Sequence, residues 1–98
     1  MSRVEFAPEV TQDFDRILEH LVTYDVQNAA ARIQDIIAAI AALERNPLIG
    51  RPTRGDNREL VIGRASRGYV ALYRHVAQLD AVFVLAIRSQ REAGYVRP

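Results

Sequence analysis

The sequence of 98 residues lacks cysteine and lysine. Without cysteine there are no disulfides, thiolate metal ligands or thiol nucleophile, which fits a reducing, cytoplasmic location. Without lysine, all 13 basic residues are arginine. A guanidinium keeps its proton near neutral pH, so it binds anions but is a poor general base. The sequence also lacks an apolar run long enough for a signal peptide or membrane anchor, and we expect no membrane association.

Several motifs that would mark a catalytic or cofactor site are missing as well. His20 and His75 are the two imidazoles, and no acidic cluster stands at metal-ligand spacing around either. We therefore predict no metal site and no cofactor, and both histidines are expected to be solvated or packing residues. Neither a Walker loop nor a GxGxxG motif is present, because the candidate glycines are too scattered to surround a phosphate: Gly50, Gly55, Gly63 and Gly68.

Charge is divided unevenly along the chain. Residues 1–50 carry four arginines and eight acids, a net charge of −4, whereas residues 51–98 carry nine arginines and four acids, a net charge of +5. The total of +1 hides this division. Because the planar guanidinium pairs bidentately with carboxylate or phosphate, the second half favours an anionic partner.

Segments with strand-like and helix-like spacing of apolar residues follow one another in the order β-α-α-β-β-β. This order predicts a single α+β domain over residues 1–98. Asp25 is a candidate N-cap for the second helix, Asn46-Pro47 ends that helix, and the spacing of Ser89 and Glu92 predicts a capping box. The two helices are expected to form an antiparallel hairpin on one face of a small, mainly antiparallel sheet. The predicted strands span 3–6, 59–62, 69–76 and 81–87, and residues 45–57 form a loop. The first helix has Pro8 in its first turn and ends near Tyr24, and the second runs from its cap at Asp25 to the stop at Asn46-Pro47.

Side-chain alternation makes both faces of the last two strands apolar. On strand 69–76, Tyr69, Ala71 and Tyr73 oppose Val70, Leu72 and Arg74. On strand 81–87, one face is predicted to carry Phe83, Leu85 and Ile87, and the other Val82, Val84, Ala86 and Arg88. Since one hairpin covers one face, we expect an exposed apolar patch on the other. The C-terminal tail is expected to fold back over part of this patch and a partner to cover the rest.

Arginines cluster at the ends of these strands. Arg64 and Arg67 flank the link between two strands, and Arg88 and Arg91 bracket the end of the last one. With Tyr69, Tyr73 and Tyr95, they indicate either a surface that binds anions and stacks bases or a clamp for an acidic peptide.

These segments resemble a known family. RELVI (58–62), GYVALYR (68–74) and VFVLAIRSQREAGY (82–95) are similar to the C-terminal half of RelE/ParE-superfamily toxins, nearer the ParE-like side. VEFAPE (4–9), the helical hairpin and NPLIGRP (46–52) fit the same pattern.

The resemblance implies a bacterial type II toxin that forms a hetero-oligomer with a cognate antitoxin, expected to be a ribbon-helix-helix protein with an acidic tail. ParE-like members are described as binding and poisoning DNA gyrase without cutting a substrate. RelE-like members cut mRNA on the ribosome. The lysines that RelE-like nucleases tend to carry have no counterpart here, and Ser89 stands where a histidine often follows the arginine of this motif. We therefore favour a ParE-like gyrase poison. The alternatives are an mRNA endonuclease and a non-toxic antitoxin-binding module.

Candidate site residues follow for each function. The residues expected to bind the target are Arg64, Arg67, Arg88, Arg91 and Tyr95. The residues expected to bind the antitoxin are Tyr69, Tyr73, Arg74, Val84 and Arg88. If the protein is a nuclease, its candidate catalytic residues are Arg58, Arg88 and Tyr95, with arginines on the phosphate and Tyr95 a poor base at its reference pKa of about 10.

Overall fold

A computed structural model describes residues 1–64 and 67–95 and gives the chain a mixed sheet with a helical hairpin. The sheet order is β1-β5-β4-β3-β2, with β1 parallel to β5 and the other neighbours antiparallel. This confirms the predicted α+β class. The elements are β1 (Arg3–Phe6), α1 (Val10–Tyr24), α2 (Ala29–Ala41), β2 (Arg51–Pro52), β3 (Asn57–Ile62), β4 (Tyr69–Val76) and β5 (Ala81–Ser89).

The core lies between the hairpin and one face of the sheet. α1 and α2 are amphipathic. The apolar residues that recur every three to four positions along each helix pack against that face. Tyr73 is the largest fully buried side chain. Other members of this core include Val10, Ile17, Leu21, Ile36, Ile40, Ala71, Val82, Val84 and Ile87. Among the described residues, neither helix has the length and apolar character needed to cross a membrane.

The start of the second helix differs from the prediction. A 3-10 turn, Val26–Asn28, precedes α2, and the Asp25 side chain caps no backbone N–H. Its carboxylate instead accepts hydrogen bonds from Asn28 Nδ2 at 2.8 Å and Arg32 Nε at 3.0 Å. The predicted cap is therefore wrong, because a charged guanidinium is a stronger partner for a carboxylate than a helix-end amide.

The predicted alternation on the last strand is corrected by a β-bulge. In the register, Leu72 pairs with Ala86 and Tyr73 with Val84, so Leu85 is the extra residue. A bulge reverses which face the following side chains occupy. Ile87 therefore joins Val84 in the core instead of lying on the face opposite it.

The second face of the sheet is not the exposed apolar patch that the alternation predicts. Val70, Leu72 and Ala86 on this face are 0%, 7% and 3% exposed. The tail after β5 returns over it, with Tyr95 contacting Glu59 and Arg88. Val61, which pairs with Val70 on this face, is 44% exposed. Other exposed large apolar side chains lie on the hairpin side, including Phe6, Leu18 and Ile37.

Candidate functional site

A cluster of four side chains occupies the second face of the sheet. Tyr95 donates its hydroxyl to Glu59 Oε2 at 2.6 Å, and Arg51 Nε donates to Glu59 Oε1 at 3.1 Å. The Arg88 guanidinium carbon lies 5.2 Å from the centroid of the Tyr95 ring, within cation-π range. We call Arg51, Glu59, Arg88 and Tyr95 the Glu59 cluster. It brings together two predicted residues, Arg88 and Tyr95, around a carboxylate that the sequence analysis did not single out.

The cluster holds its tyrosine protonated and its carboxylate ionised. Burial raises the pKa of Tyr95, and acceptance of its proton by the Glu59 carboxylate raises that pKa further. Burial disfavours the charged form of Glu59, but hydrogen bonds from Tyr95 and Arg51, with the charges of Arg51 and Arg88, lower its pKa overall. A phenol with a raised pKa and a carboxylate with a lowered pKa are both weak general bases near pH 7.

The tail that carries Tyr95 is fixed to α1 by a polar network. Arg16 donates to Glu92 Oε1 at 2.7 Å, to Asp13 Oδ1 at 2.9 Å and to the Ile87 carbonyl at 3.0 Å. Asp13, only 1% exposed, also accepts the Ile87 N–H at 3.0 Å. Hydrogen bonds to both carboxylates raise the pKa of Arg16 in spite of its burial. The network therefore anchors the end of β5 and the segment that leads to Tyr95.

The predicted capping contacts form at the beginning of this tail. The Ser89 N–H donates to Glu92 Oε2 at 2.7 Å, and Ser89 Oγ accepts the Arg91 N–H at 3.1 Å. The segment is a turn and not a helix. Arg88 Nη1 donates to the carbonyls of Ser89 and Glu92, while its buried Nε has no hydrogen-bond partner within the described part of the chain.

Arg58 does not join the Glu59 cluster. It pairs across the sheet with Tyr73, on the hairpin side, whereas neighbouring Glu59 pairs with Leu72 on the opposite side. Its guanidinium donates to the carbonyls of Leu48 at 3.1 Å and Gly50 at 2.7 Å. The three residues predicted for a nuclease are therefore not assembled in one place.

Most of the residues predicted to contact an antitoxin are buried. Tyr73 and Val84 are 0% exposed and Tyr69 is 8% exposed. Tyr73 is a structural side chain, because its hydroxyl accepts the Gly50 N–H at 2.8 Å. Neither Tyr73 nor Val84 therefore presents surface to a partner in this structure. Arg74 is exposed, 3.4 Å from Asp56, and Arg88 is partly exposed.

The remaining predicted arginines are separate from the Glu59 cluster. Arg64, Arg67 and Arg91 are exposed. Arg67 and Arg91 line a cavity beside α1, on the hairpin side of the sheet. Of the residues predicted for target binding, Arg88 and Tyr95 thus lie in the Glu59 cluster, whereas Arg67 and Arg91 line this cavity. In the described ranges 1–64 and 67–95, no group of three His, Cys, Asp or Glu side chains could hold a metal ion.

An apolar groove on the hairpin side was missed by the sequence analysis. It has a volume of about 690 Å³, and the rings of Phe6 and Phe14 lie 6.5 Å apart at one end. The sequence did carry a signal for this groove. The apolar stripes of the two helices, which include Leu18 and Ile37, are wider than one face of the sheet can cover. We call this the hairpin groove, and its apolar lining is Phe6, Val10, Phe14, Leu18, Ala30, Ile33 and Ile37.

Comparison with known proteins assigns the chain to a family. Residues 4–94 match the family described as ParE toxin of type II toxin-antitoxin system, parDE. The chain belongs to the ParE toxin family. It is a member of the RelE/ParE superfamily, as its sequence motifs indicate. A search of curated proteins gave no match.

Solved structures with the same fold come from toxin-antitoxin systems. A chain of the chromosomal ParDE system from P. aeruginosa is 24% identical, with a TM-score of 0.76, covering 91% of this ParE-family chain and 96% of its own. A chain of the intact E. coli RelBE complex is 14% identical (TM-score 0.65, coverage 94% and 100%). A chain of the RelBE2 complex from Mycobacterium tuberculosis is 20% identical (TM-score 0.55, coverage 91% and 98%). At these identities the likeness shows the fold alone.

Proposed function

We propose that this ParE-family toxin acts in the cytoplasm by binding DNA gyrase and cuts no substrate itself. The observation that carries the proposal is the electrostatics of the Glu59 cluster. Tyr95 is held as a hydrogen-bond donor over Arg88, and the single carboxylate of the cluster is neutralised by Arg51 and Tyr95. Such a surface presents fixed cations and a flat ring, which suits recognition of an anionic partner.

Cleavage of RNA would require more than this cluster supplies. Attack by a 2′-hydroxyl needs one group to accept a proton, another to donate one, and cations on the phosphate. Arg88 provides a cation. Tyr95 has a raised pKa and Glu59 a lowered one, so neither is tuned to accept a proton near neutral pH. The ribosome-dependent endonuclease is therefore the second candidate.

A gyrase supercoiling assay tests the proposal. We expect the purified chain to inhibit supercoiling and Arg88→Ala to need at least about tenfold more protein, because a charge-assisted contact contributes about 1.5–3 kcal/mol. Arg45→Ala, an exposed arginine of the acidic half, is the matched control and should inhibit like the parent. Unchanged supercoiling would contradict the proposal. Codon-dependent mRNA cuts in a reconstituted translation system, lost in Arg88→Ala, would establish the nuclease instead.

We also propose that the cognate antitoxin fills the hairpin groove. Leu18 and Ile37 remain 43% and 44% exposed there, and apolar surface of this size in one place is typical of a protein-binding site. The related structures are of toxin-antitoxin systems, which supports an antitoxin as the occupant. An apolar segment of the antitoxin would occupy the groove, and an acidic segment would pair with Arg74 and Arg88 on the other side.

Affinity measurements with the antitoxin encoded beside this chain test the groove. Leu18→Asp and Ile37→Asp are each expected to weaken binding at least about thirtyfold, because each places a charge in an apolar contact. Leu79→Asp, which changes a leucine 54% exposed in the β4–β5 turn, should bind like the parent. Equal affinities for all three variants would place the antitoxin elsewhere. Tight antitoxin binding with normal growth on overexpression would show a non-toxic binding module.

A further inference from the structure

A second cavity, of about 410 Å³, opens between α1, the start of α2 and the adjoining ends of β4 and β5. We call it the arginine pocket. Its charged lining consists of Arg16, Arg32, Arg67, Arg91, Asp25 and Glu92, a net charge of +2. The pocket lies on the hairpin side of the sheet and the Glu59 cluster on the other. It is therefore a separate feature of the molecule.

The two acids of the pocket are already paired. Asp25 accepts from Arg32 Nε at 3.0 Å, and Glu92 accepts from Arg16 Nε at 2.7 Å. The hydrogen bond from Asn28 and the pairing with Arg32 lower the pKa of Asp25, so it stays ionised and engaged. Arg32 also donates to the Arg67 carbonyl at 3.2 Å. These contacts fix two guanidiniums in the wall and reduce the repulsion that either carboxylate would exert on an entering anion.

The other two arginines are available to a ligand. The side chains of Arg67 and Arg91 are exposed and form no ion pair with another side chain of residues 1–64 and 67–95. They approach the cavity from different elements, one ahead of β4 and the other after β5. A phosphate monoester carries about −1.5 to −2 charges at pH 7 and three acceptor oxygens, so it has enough charge and acceptors for two guanidiniums.

An aromatic surface borders the same cavity. The rings of His20 and Tyr24, one helical turn apart on α1, lie 4.8 Å apart at 44°, and both line the pocket. Tyr24 is 77% exposed, which is unusual for a side chain with this much apolar surface. An exposed ring beside unpaired guanidiniums is a platform on which a nucleobase stacks.

We propose that the arginine pocket binds a nucleoside monophosphate, with its phosphate between Arg67 and Arg91 and its base on Tyr24. The volume of about 410 Å³ lies in the range of small-ligand sites. Arg67 and Arg91 also belong to the residues expected to contact the target. The test therefore measures ligand binding without gyrase, so that its result is independent of the proposed function.

Titration calorimetry of the full chain tests the proposal with three probes: AMP, inorganic phosphate and adenosine. We expect AMP to bind more tightly than phosphate and adenosine to give no measurable heat. Arg67→Gln combined with Arg91→Gln should weaken AMP binding at least about tenfold, because two charge-assisted contacts are lost. Tyr24→Ala should weaken AMP by about three- to tenfold and leave phosphate unchanged, since only the base contacts the ring. Arg54→Gln, an exposed arginine outside the pocket, is the control and should bind like the parent.

Three outcomes would overturn the proposal. AMP could give no measurable heat with the parent chain, or the double arginine variant could bind AMP with parent affinity. A glutamate-rich peptide could bind in a manner that depends on Arg67 and Arg91 while AMP does not, which would assign the pocket to an acidic polypeptide. Circular dichroism of each variant confirms that the fold is retained.

Discussion

Replacing Asp13 by alanine is expected to destabilise the fold by about 3 kcal/mol. The Asp13 carboxylate is 1% exposed and accepts hydrogen bonds from the Ile87 N–H at 3.0 Å and from Arg16 Nη1 at 2.9 Å. Each bond to a buried charged group is worth about 1.5–3 kcal/mol. Their sum, about 3–6 kcal/mol, overlaps the range of about 3–5 kcal/mol that is typical of breaking a buried ion pair. We expect the lower end, because Glu92 still pairs with Arg16 in the variant.

Urea and thermal unfolding, followed by circular dichroism, measure this loss. For a domain of this length, each kcal/mol lowers the melting temperature by about 4–8 °C, so the expected shift is about 12–24 °C. Asp13→Asn keeps the shape and one acceptor oxygen and should cost about half as much. Asp15→Ala removes an exposed acid from the same helix and should change stability by less than about 0.5 kcal/mol.

The comparison between Asp13→Ala and Asp15→Ala tests whether the buried carboxylate of Asp13 stabilises the fold. If Asp13→Ala unfolds at the same urea concentration as Asp15→Ala, the buried carboxylate does not stabilise the junction of α1 and β5. The same result would remove the reason for treating Asp13 and Arg16 as the anchor of the tail that carries Tyr95.

Three further predictions concern the sheet and the Glu59 cluster. Tyr73→Phe leaves the Gly50 N–H without its acceptor and should lower the free energy of unfolding by about 1–2 kcal/mol, whereas Tyr24→Phe should have no effect. Gly50→Ala should cost about 1–3 kcal/mol, because its Cβ would lie 2.6 Å from the Tyr73 ring and 2.8 Å from the Glu59 carbonyl. Gly94→Ala meets no atom within 4 Å and is the control; equal stabilities of the two alanine variants would refute the steric argument. Because the pKa of Glu59 is lowered in the fold, its ionisation stabilises the protein above the unfolded-state pKa of about 4.3, and this stability is lost as pH falls through the folded pKa. Between pH 6 and pH 3 the parent should therefore lose more stability in urea than Glu59→Gln, and equal losses would contradict the argument.

Local patterns predicted most of the fold correctly. The predicted bounds of β1 and β4 match the structure, and α1 ends at Tyr24 as predicted. These boundaries depend on apolar spacing and on residues that end helices, which are properties of neighbouring positions in the chain. The two-residue strand β2 was missed inside a predicted loop, because its pairing with β3 leaves no periodic signal in two residues.

Features that depend on contacts between distant residues could not be predicted. The bulge at Leu85 arises from pairing with β4, and it changes the face of Ile87 although the sequence alternates regularly. Asp13 was not recognised as a buried residue, because its partner is a backbone N–H 74 residues away. The helical spacing alone places Asp13 next to the apolar stripe without indicating what it contacts.

The candidate site shows the same limit at the scale of one residue. Arg58 was predicted to act with Arg88 and Tyr95, but Glu59 is the neighbour that joins them. Adjacent residues on a strand point to opposite faces of the sheet, so residues 58 and 59 belong to two different surfaces. Motif similarity identified the segment, and the cross-strand register was needed to identify the side chain.

The pairing of β1 with β5 has a consequence for how the protein is made. Among the strands of the described residues, β1 has one hydrogen-bonded neighbour, β5, which comes after all the others in the chain. Until β5 has been synthesised, β1 lacks this neighbour, and the loop that their pairing closes spans residues 7–80. Folding of the complete sheet therefore waits until β5 has been synthesised, and the Glu59 cluster, which also needs Tyr95, is assembled after β5.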